Sequence, residues 1–333
     1  MKEKLIRALY RLLEFSHSVV LEKMLIIANV LWHDWQIQPA YGVMPSIGKI
    51  SEADIMEAYR DIDEESLSQL RRFHRVSSLP DIADCDKTLF FYNTEKILTR
   101  EERRSQRKVR KELSRLVRKY NLFFAPESGW HHHGLREISG SHQYTAGKIF
   151  IDAGACYGDS AIVFLDQYRP LKVCSFEPSE RNCVEYRRNL EENHFPREQY
   201  ELIQKGVSDC NATLAFQDTG TGGNNLLTHG DSTVEVVTLD EFCRDLPAAV
   251  GIIKADVEGF ALKLLRGAEQ TIRRDRPILC LSIYHNPEEF LGVYRCLKDW
   301  GIDYRIWIRL HRLPLQVHEL DLVACPNELH PIL

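Results

Sequence analysis

Paired-cysteine spacing is missing from this sequence: its nine cysteines are scattered, none forms a C-x-x-C, and several lie inside apolar runs such as "KVCSF" and "ILCLSI". Cysteines of that kind read as buried free thiols in a reducing compartment rather than as a disulfide framework. A strong charge excess is missing as well. The formal net charge is -5 and the pI about 6.2, which removes any global electrostatic reason to expect nucleic acid or an anionic membrane as the main partner. Nor is there an apolar run of the roughly 20 residues that a membrane span needs. "MLIIANVLW" (24–32) is much shorter, Glu22 and Lys23 precede it, and the start shows no small-residue cleavage site. The expectation is a cytoplasmic protein without a membrane span. At 44% hydrophobic and 27% charged residues over 333 positions, the composition is that of a globular chain with room for one large or two modest domains.

The first third reads as helical. Leu5, Leu9, Leu12 and Leu13 recur at helical spacing, and residues 54–70 follow suit after "SEAD", whose Ser51 is a candidate cap. From 100 to 119, ten basic residues stand against three acidic ones while Val109, Leu113, Leu116 and Val117 line one side: a solvated amphipathic helix, or a docking face for an acidic partner. No chemical motif is visible in residues 1–125, which form a helical region of open role. After a linker-like stretch the character changes, and residues 126–333 read as a second unit. "KIFIDAG", "KVCSFEP", "YELIQKGVSD", "GIIKADVEG" and "PILCLSIYH" are strand candidates, and they alternate with amphipathic segments near 159–167, 180–193, 260–274 and 287–300. Near-continuous apolar strands separated by helices predict a parallel sheet covered on both faces. "YRIWIRL" and "LDLVAC" have no helix between them and predict an antiparallel terminal pair. "DTGTGGNNLLTHGDS" (218–232) reads as a mobile loop.

In such a sheet, ligands bind beyond the carboxyl ends of the strands. Asp152 stands there in "KIFIDAGACYGDS". Gly154 and Gly158 allow a tight turn and a close backbone approach, Ala155 and Tyr157 complete the loop, and the next helix opens at about Asp159. A dinucleotide fingerprint would begin with glycine where Asp152 stands. A carboxylate there repels pyrophosphate and attracts an ammonium, which S-adenosylmethionine carries on its methionine end. Glu177 follows 25 residues later at the end of the next strand, where it suits the two hydroxyls of a ribose. Pro178 is placed to pack on adenine, and Ser208 and Asp209 in "GVSD" to meet the adenine edge.

Together "HHHGL", "IDAGACYGDSA", "SFEPS", "GVSD", "VVTLDEF", "IIKADVEGFALKLLRGA", "LSIYHNPEEF", "RLH" and "HELDLVAC" resemble, over about residues 130–325, the FkbM-type S-adenosylmethionine-dependent methyltransferases. That resemblance implies the class I Rossmann-like α/β fold, a seven-stranded, mostly parallel sheet with an antiparallel terminal hairpin. It assigns Asp152, Gly154, Gly158 and Glu177 to the cofactor, with Asp209 in addition, and it places Asp256, Glu258 and His285 beside the transferable methyl. The implied activity is methylation of a hydroxyl on a sugar, glycan precursor or secondary metabolite, free or carrier-bound.

A hydroxyl acceptor needs a base, since it is protonated at neutral pH. His285 has the intrinsic range for it, and Asp256 or Glu258 is the alternative. Structural roles compete: Asp256 as ligand of the methionine amine or helix cap, Glu258 as a turn former, His285 as a helix-start residue. His131, His132 and His133 are adjacent, a spacing that does not suit one metal ion on a regular element, and they read as a surface loop or substrate lid. No metal is expected. His311 and Glu319 flank the terminal connection, as pocket lining or as hairpin structure. A non-catalytic cofactor- or partner-binding module is the alternative from another class, and a nicotinamide-dependent oxidoreductase a further one.

Overall fold

The computed structural model describes residues 45–78, 115–116, 118–120, 132–217, 225–226, 232–311 and 319–332. At its centre is a seven-stranded sheet built from β1 (Ile149–Ala153), β2 (Lys172–Phe176), β3 (Tyr200–Ile203), β4 (Val250–Ala255), β5 (Ile278–Ser282), β6 (Tyr304–His311) and β7 (Glu319–Pro326). The spatial order is β6-β7-β5-β4-β1-β2-β3. Neighbours from β5 to β3 run parallel, and only β7 is antiparallel to its partners β5 and β6. The terminal pair is therefore the antiparallel closure that the sequence predicts. Strand order reverses at β1, so the switch point lies where the carboxyl ends of β1 and β4 meet.

β1 and β4 are buried at every position, as strands rich in Ile, Val and Phe should be in a sheet covered on both sides. Ile149, Ile151, Ala153, Ile253 and Ala255 join one core cluster, whereas Phe150 and Ile252 join the other. The helices that matter for the site are α3 (Asp159–Gln167) after β1, α4 (Glu180–Glu192) after β2, α5 (Ala261–Arg266) and α6 (Glu269–Asp275) after β4, and α7 (Pro287–Asp299) after β5. The start signals are local. The Ser179 hydroxyl accepts from the Asn182 N–H to cap α4, and Asn286, followed by Pro287 in the first turn, accepts from the Glu289 N–H to cap α7.

The predicted helix over 54–70 is two helices, Glu52–Ala58 and Glu64–Ser77. Ser51 caps the first as expected. Asp63 accepts from the Ser66 N–H at 2.9 Å and starts the second: a strong N-cap in mid-pattern overrides the periodicity. This segment shares the core of the sheet. Tyr59 stacks on Tyr294 at 5.0 Å and donates its hydroxyl to the Phe290 carbonyl, Phe73 lies 6.1 Å from Phe290, and the Ser66 hydroxyl accepts from the Ile308 N–H of β6. The end of the basic stretch docks on α3: Leu116 and Tyr120 are buried in the second cluster, and Lys119 pairs with Asp166. Residues 100–114 and Val117 of that stretch and Leu5, Leu9, Leu12 and Leu13 lie outside the described residues.

Two further predictions are corrected. "YELIQKGVSD" is not one strand. Lys205 donates its N–H back to the Ile203 carbonyl, the chain turns, and Gly206–Val207 instead pairs with Ser232–Val237 in a small four-stranded sheet. The segment 260–274 is broken at Gly267, whose α-carbon leaves no room for a side chain because the Ser208 carbonyl would lie 2.1 Å from it. Of the predicted loop 218–232, Asn225–Leu226 pairs with Phe216–Gln217 and Ser232 opens the following strand; the other residues of that stretch lie outside the described ones. Among the described residues no helix is long and apolar enough to cross a membrane.

Candidate active site

Asp152 is the last charged residue of β1, and the parallel register places Lys254 of β4 beside it and Ser175 of β2 on its other side. Its carboxylate is fully buried and lies 3.2 Å from Lys254 Nζ, which also donates to the Gly154 carbonyl at 2.7 Å. Burial pushes the Asp152 carboxyl up and Lys254 opposes it. Burial would lower the lysine, but the charges of Asp152 and Asp256 outweigh it and hold Lys254 charged. The ammonium beside Asp152 in the structure is the chain's own.

Gly154, at φ 77°, lets the loop after β1 run directly against the turn after β4. A Cβ there would sit 1.7 Å from the Asp256 carbonyl oxygen, so its freedom serves a backbone-to-backbone approach within the protein. Gly158, at φ 83°, precedes α3 and packs under Tyr186 and Leu190 of α4. Ala155 is buried, while Tyr157 and Asp159 keep partial exposure on the same loop. Glu177 is nearly buried at the end of β2. It accepts from the N–H groups of Cys156 and Ser179 and from the Asn182 amide. Burial raises its pKa, and those donors pull it back. The carboxylate thereby fastens the loop after β1 to the end of β2, with part of its lone-pair capacity left over. Pro178 beside it is half-buried.

The second cluster stands at the ends of β4 and β5. The turn Asp256–Gly259 is held open by left-handed backbone at Glu258 (φ 49°) and Gly259 (φ 103°), a conformation that costs a non-glycine residue about 1–2 kcal/mol. Asn286 clips it by donating to the Gly259 carbonyl. His285 Nε2 lies 3.2 Å from Asp256 and 3.7 Å from Glu258, and Nδ1 lies 3.1 Å from Glu289. The imidazole is almost enclosed, while Asp256 and Glu258 keep 22% and 28% of their side-chain surface and form the open side. Burial alone would lower the His285 pKa. The neighbouring Asp256 carboxylate, the hydrogen bond and charge of Glu289 and the charge of Glu258 more than reverse that and raise it well above its ordinary value. Burial would raise Asp256, but the adjacent His285 and the charges of Lys254 and His133 take it well below the carboxylate range.

Of the predicted site residues, Asp152, Gly154, Glu177, Asp256, Glu258 and His285 thus converge on the carboxyl ends of adjacent strands. Ser208 and Asp209 do not follow β3; they follow the Gly206–Val207 strand of the small sheet, with the Ser208 N–H bound to the Val237 carbonyl. The strand they close is therefore not β3 but one of the small sheet. The histidine run is corrected too. His132 is buried, with Nδ1 2.8 Å from the Tyr168 hydroxyl, and His133 Nε2 lies 3.0 Å from the Ser160 hydroxyl in the first turn of α3. His131 lies outside the described residues. His311 and Glu319 are register partners at the end of the terminal pair that the 312–318 connection joins. Among the described residues no group of three or more His, Cys, Asp or Glu side chains is arranged to hold a metal ion.

The family model of the methyltransferase FkbM domain matches residues 152–304, from the buried aspartate of β1 to the start of β6. This stretch of the chain is similar to an FkbM methyltransferase domain. Similar solved structures include a methyltransferase FkbM from Methylobacillus flagellatus (18% identity, 70% of this chain and 57% of that one, TM-score 0.43). An rRNA methylase from Streptococcus thermophilus (16%, 64% and 99%, 0.38) and a putative methyltransferase from Streptococcus mutans in complex with SAH (15%, 56% and 95%, 0.37) are others. The chain thus spans 57% of the length of the Methylobacillus protein it matches. No curated protein matches it.

Within the matched residues, sequence reading missed Lys254 and Glu289. Lys254 had a signal: a charged residue in mid-run of "GIIKADV" must find a buried partner. Glu289 had a weaker one, a carboxylate three residues after a cap residue, which ordinarily turns back to its own helix start.

Proposed function

We propose that the chain is an S-adenosylmethionine-dependent O-methyltransferase acting on a hydroxyl of a sugar, glycan precursor or secondary metabolite. The observation that carries this reading is the contact of His285 with Asp256 and Glu258 at the open ends of β4 and β5, next to the switch point. The residues present fit the cofactor. The acids on the open side suit a cationic sulfonium and oppose a pyrophosphate, and Glu177 stands at the end of β2 as a ribose acceptor. S-adenosylmethionine supplies a methyl group already activated for transfer. Asp256 and Glu258 orient the acceptor hydroxyl from the open side, and His285 in its neutral form takes the hydroxyl proton at Nε2. The Asp152–Lys254 pair keeps the loop and strand ends in place without exchanging a proton.

Calorimetric titration with S-adenosylhomocysteine beside NAD⁺ tests the cofactor: micromolar binding of the first alone, lost in Glu177→Ala, is expected. Transfer of labelled methyl from S-adenosylmethionine to a panel of hydroxylated and amine acceptors tests the chemistry. Labelling confined to amines, or binding without turnover across the whole panel, would overturn the O-methyltransferase reading.

A further inference from the structure

The imidazole of His285 has two nitrogens with different neighbours, and the neighbours are not equivalent. Nε2 faces Asp256 and Glu258 on the open side. Nδ1 faces Glu289, which is fully buried and whose two carboxylate oxygens have separate tasks: Oε2 meets Nδ1 at 3.1 Å, and Oε1 accepts the Ala261 N–H at 2.6 Å. The Glu289 backbone is itself pinned, because its N–H donates to the Asn286 side chain at 2.8 Å. Glu289 therefore has little freedom to leave Nδ1. The ring rests on Tyr284 at 4.1 Å. The titratable groups that bear on it are Asp256 and Glu258 from the turn after β4 and Glu289 from α7; Lys254 of β4 and His133 of the turn at 132–137 act on Asp256.

We propose that Glu289 is a positioning residue that locks neutral His285 as the Nδ1–H tautomer, so that Nε2 is the nitrogen left to accept a proton on the acceptor side. This rests on the reading of His285 as proton acceptor. A carboxylate accepts only, and the buried Glu289 is hydrogen-bonded to Nδ1, whereas Nε2 lies beside Asp256 and Glu258 without a hydrogen bond to either, so the neutral ring keeps its hydrogen on Nδ1. A neutral imidazole with its hydrogen on Nδ1 has its lone pair on Nε2, where the chemistry needs it.

Glu289→Gln separates this from a merely structural role. Glutamine has one acceptor oxygen for two donors. If it stays on the Ala261 N–H, its NH₂ group faces Nδ1, which must then accept and carry no hydrogen. Neutral His285 is thereby pushed to the Nε2–H form. The measurement is ¹⁵N and ¹H NMR of histidine-labelled full-length protein over pH, with His285 assigned by its loss in His285→Gln, alone and with S-adenosylhomocysteine. The expected result is an Nδ1–H neutral form in the wild type and in Asp256→Asn, an Nε2–H form in Glu289→Gln, and a titration midpoint lowered by roughly one pH unit or more in Glu289→Gln. An unchanged tautomer and midpoint in Glu289→Gln overturns the proposal. Should that variant fail to fold, the wild type still decides: an Nε2–H neutral form there overturns the proposal as well. Failure of the wild type to bind S-adenosylhomocysteine, with the tautomer switch intact, would sink the methyltransferase reading and leave the Glu289–His285 link standing.

Discussion

Asp152 and Asp256 stand at the ends of neighbouring parallel strands, each followed by a turn with left-handed backbone, and their environments differ in one respect that decides what each can do. Asp152 has no exposed surface and is paired with an ammonium whose own proton is held firmly. Asp256 keeps 22% exposure and is paired with an imidazole. A lysine partner fixes charge, whereas a histidine partner offers a proton that can move within an accessible pH range. On the proposed reading, the same residue type at equivalent places serves structure in one strand and chemistry in the next.

Removing the partner of the buried acid should have the largest effect. Lys254→Met leaves Asp152 buried and unpaired, and unfolding in urea is expected to show a loss of about 3–5 kcal/mol, with part of it restored in the double variant Asp152→Asn/Lys254→Met. Asp256→Asn should reverse that profile. It removes one of three carboxylates around His285 and is expected to cost less stability than Lys254→Met, with S-adenosylhomocysteine affinity close to wild type, while methyl transfer to the acceptor found by panel screening falls by about 10²-fold or more. Equal stability losses in the two variants would erase the contrast.

Gly154→Ala joins the two sites in one substitution. It places a Cβ against the Asp256 carbonyl at a left-handed position, and a cost of roughly 2 kcal/mol or more is expected in thermal or urea unfolding.

The smallest effect is in pH dependence, and its sign follows from the directions of shift. The raised His285 contributes stability that is fully present below the unfolded value of about 6.5 and is lost as pH rises through its folded pKa. The lowered Asp256 contributes stability that is present above about 3.9 and lost as pH falls through its folded value. His285→Gln should flatten the alkaline side of a plot of melting temperature against pH. Turnover in the wild type should climb over that same alkaline range, because the base form of His285 appears only there.

Much of this was legible beforehand because strands buried on both faces announce themselves. The runs containing Ile149–Ala153 and Val250–Ala255 are too continuously apolar to be anything half-exposed, and an acid at the end of such a run stands out. Pairing was less legible. That Asp152 meets Lys254 depends on register between strands about a hundred residues apart, and that Glu289 turns to His285 depends on where the next helix lands. Periodicity also misled where a local hydrogen bond competed: the Asp63 cap split one apparent helix, and the turn at Lys205 carried Ser208 and Asp209 off the end of β3.

Glu289 and Phe290 are consecutive residues, one with its carboxylate on His285 and the other with its ring against Phe73. The hydroxyl of Tyr59 holds the carbonyl of Phe290 as well. The segment without a motif therefore grips the backbone next to the buried carboxylate, and its aromatic residues act as a mounting for it. A change at Tyr59 or Phe73 alters the seating of the active-site helix without touching a single acid or histidine, which makes these rings a second, unsigned part of the site.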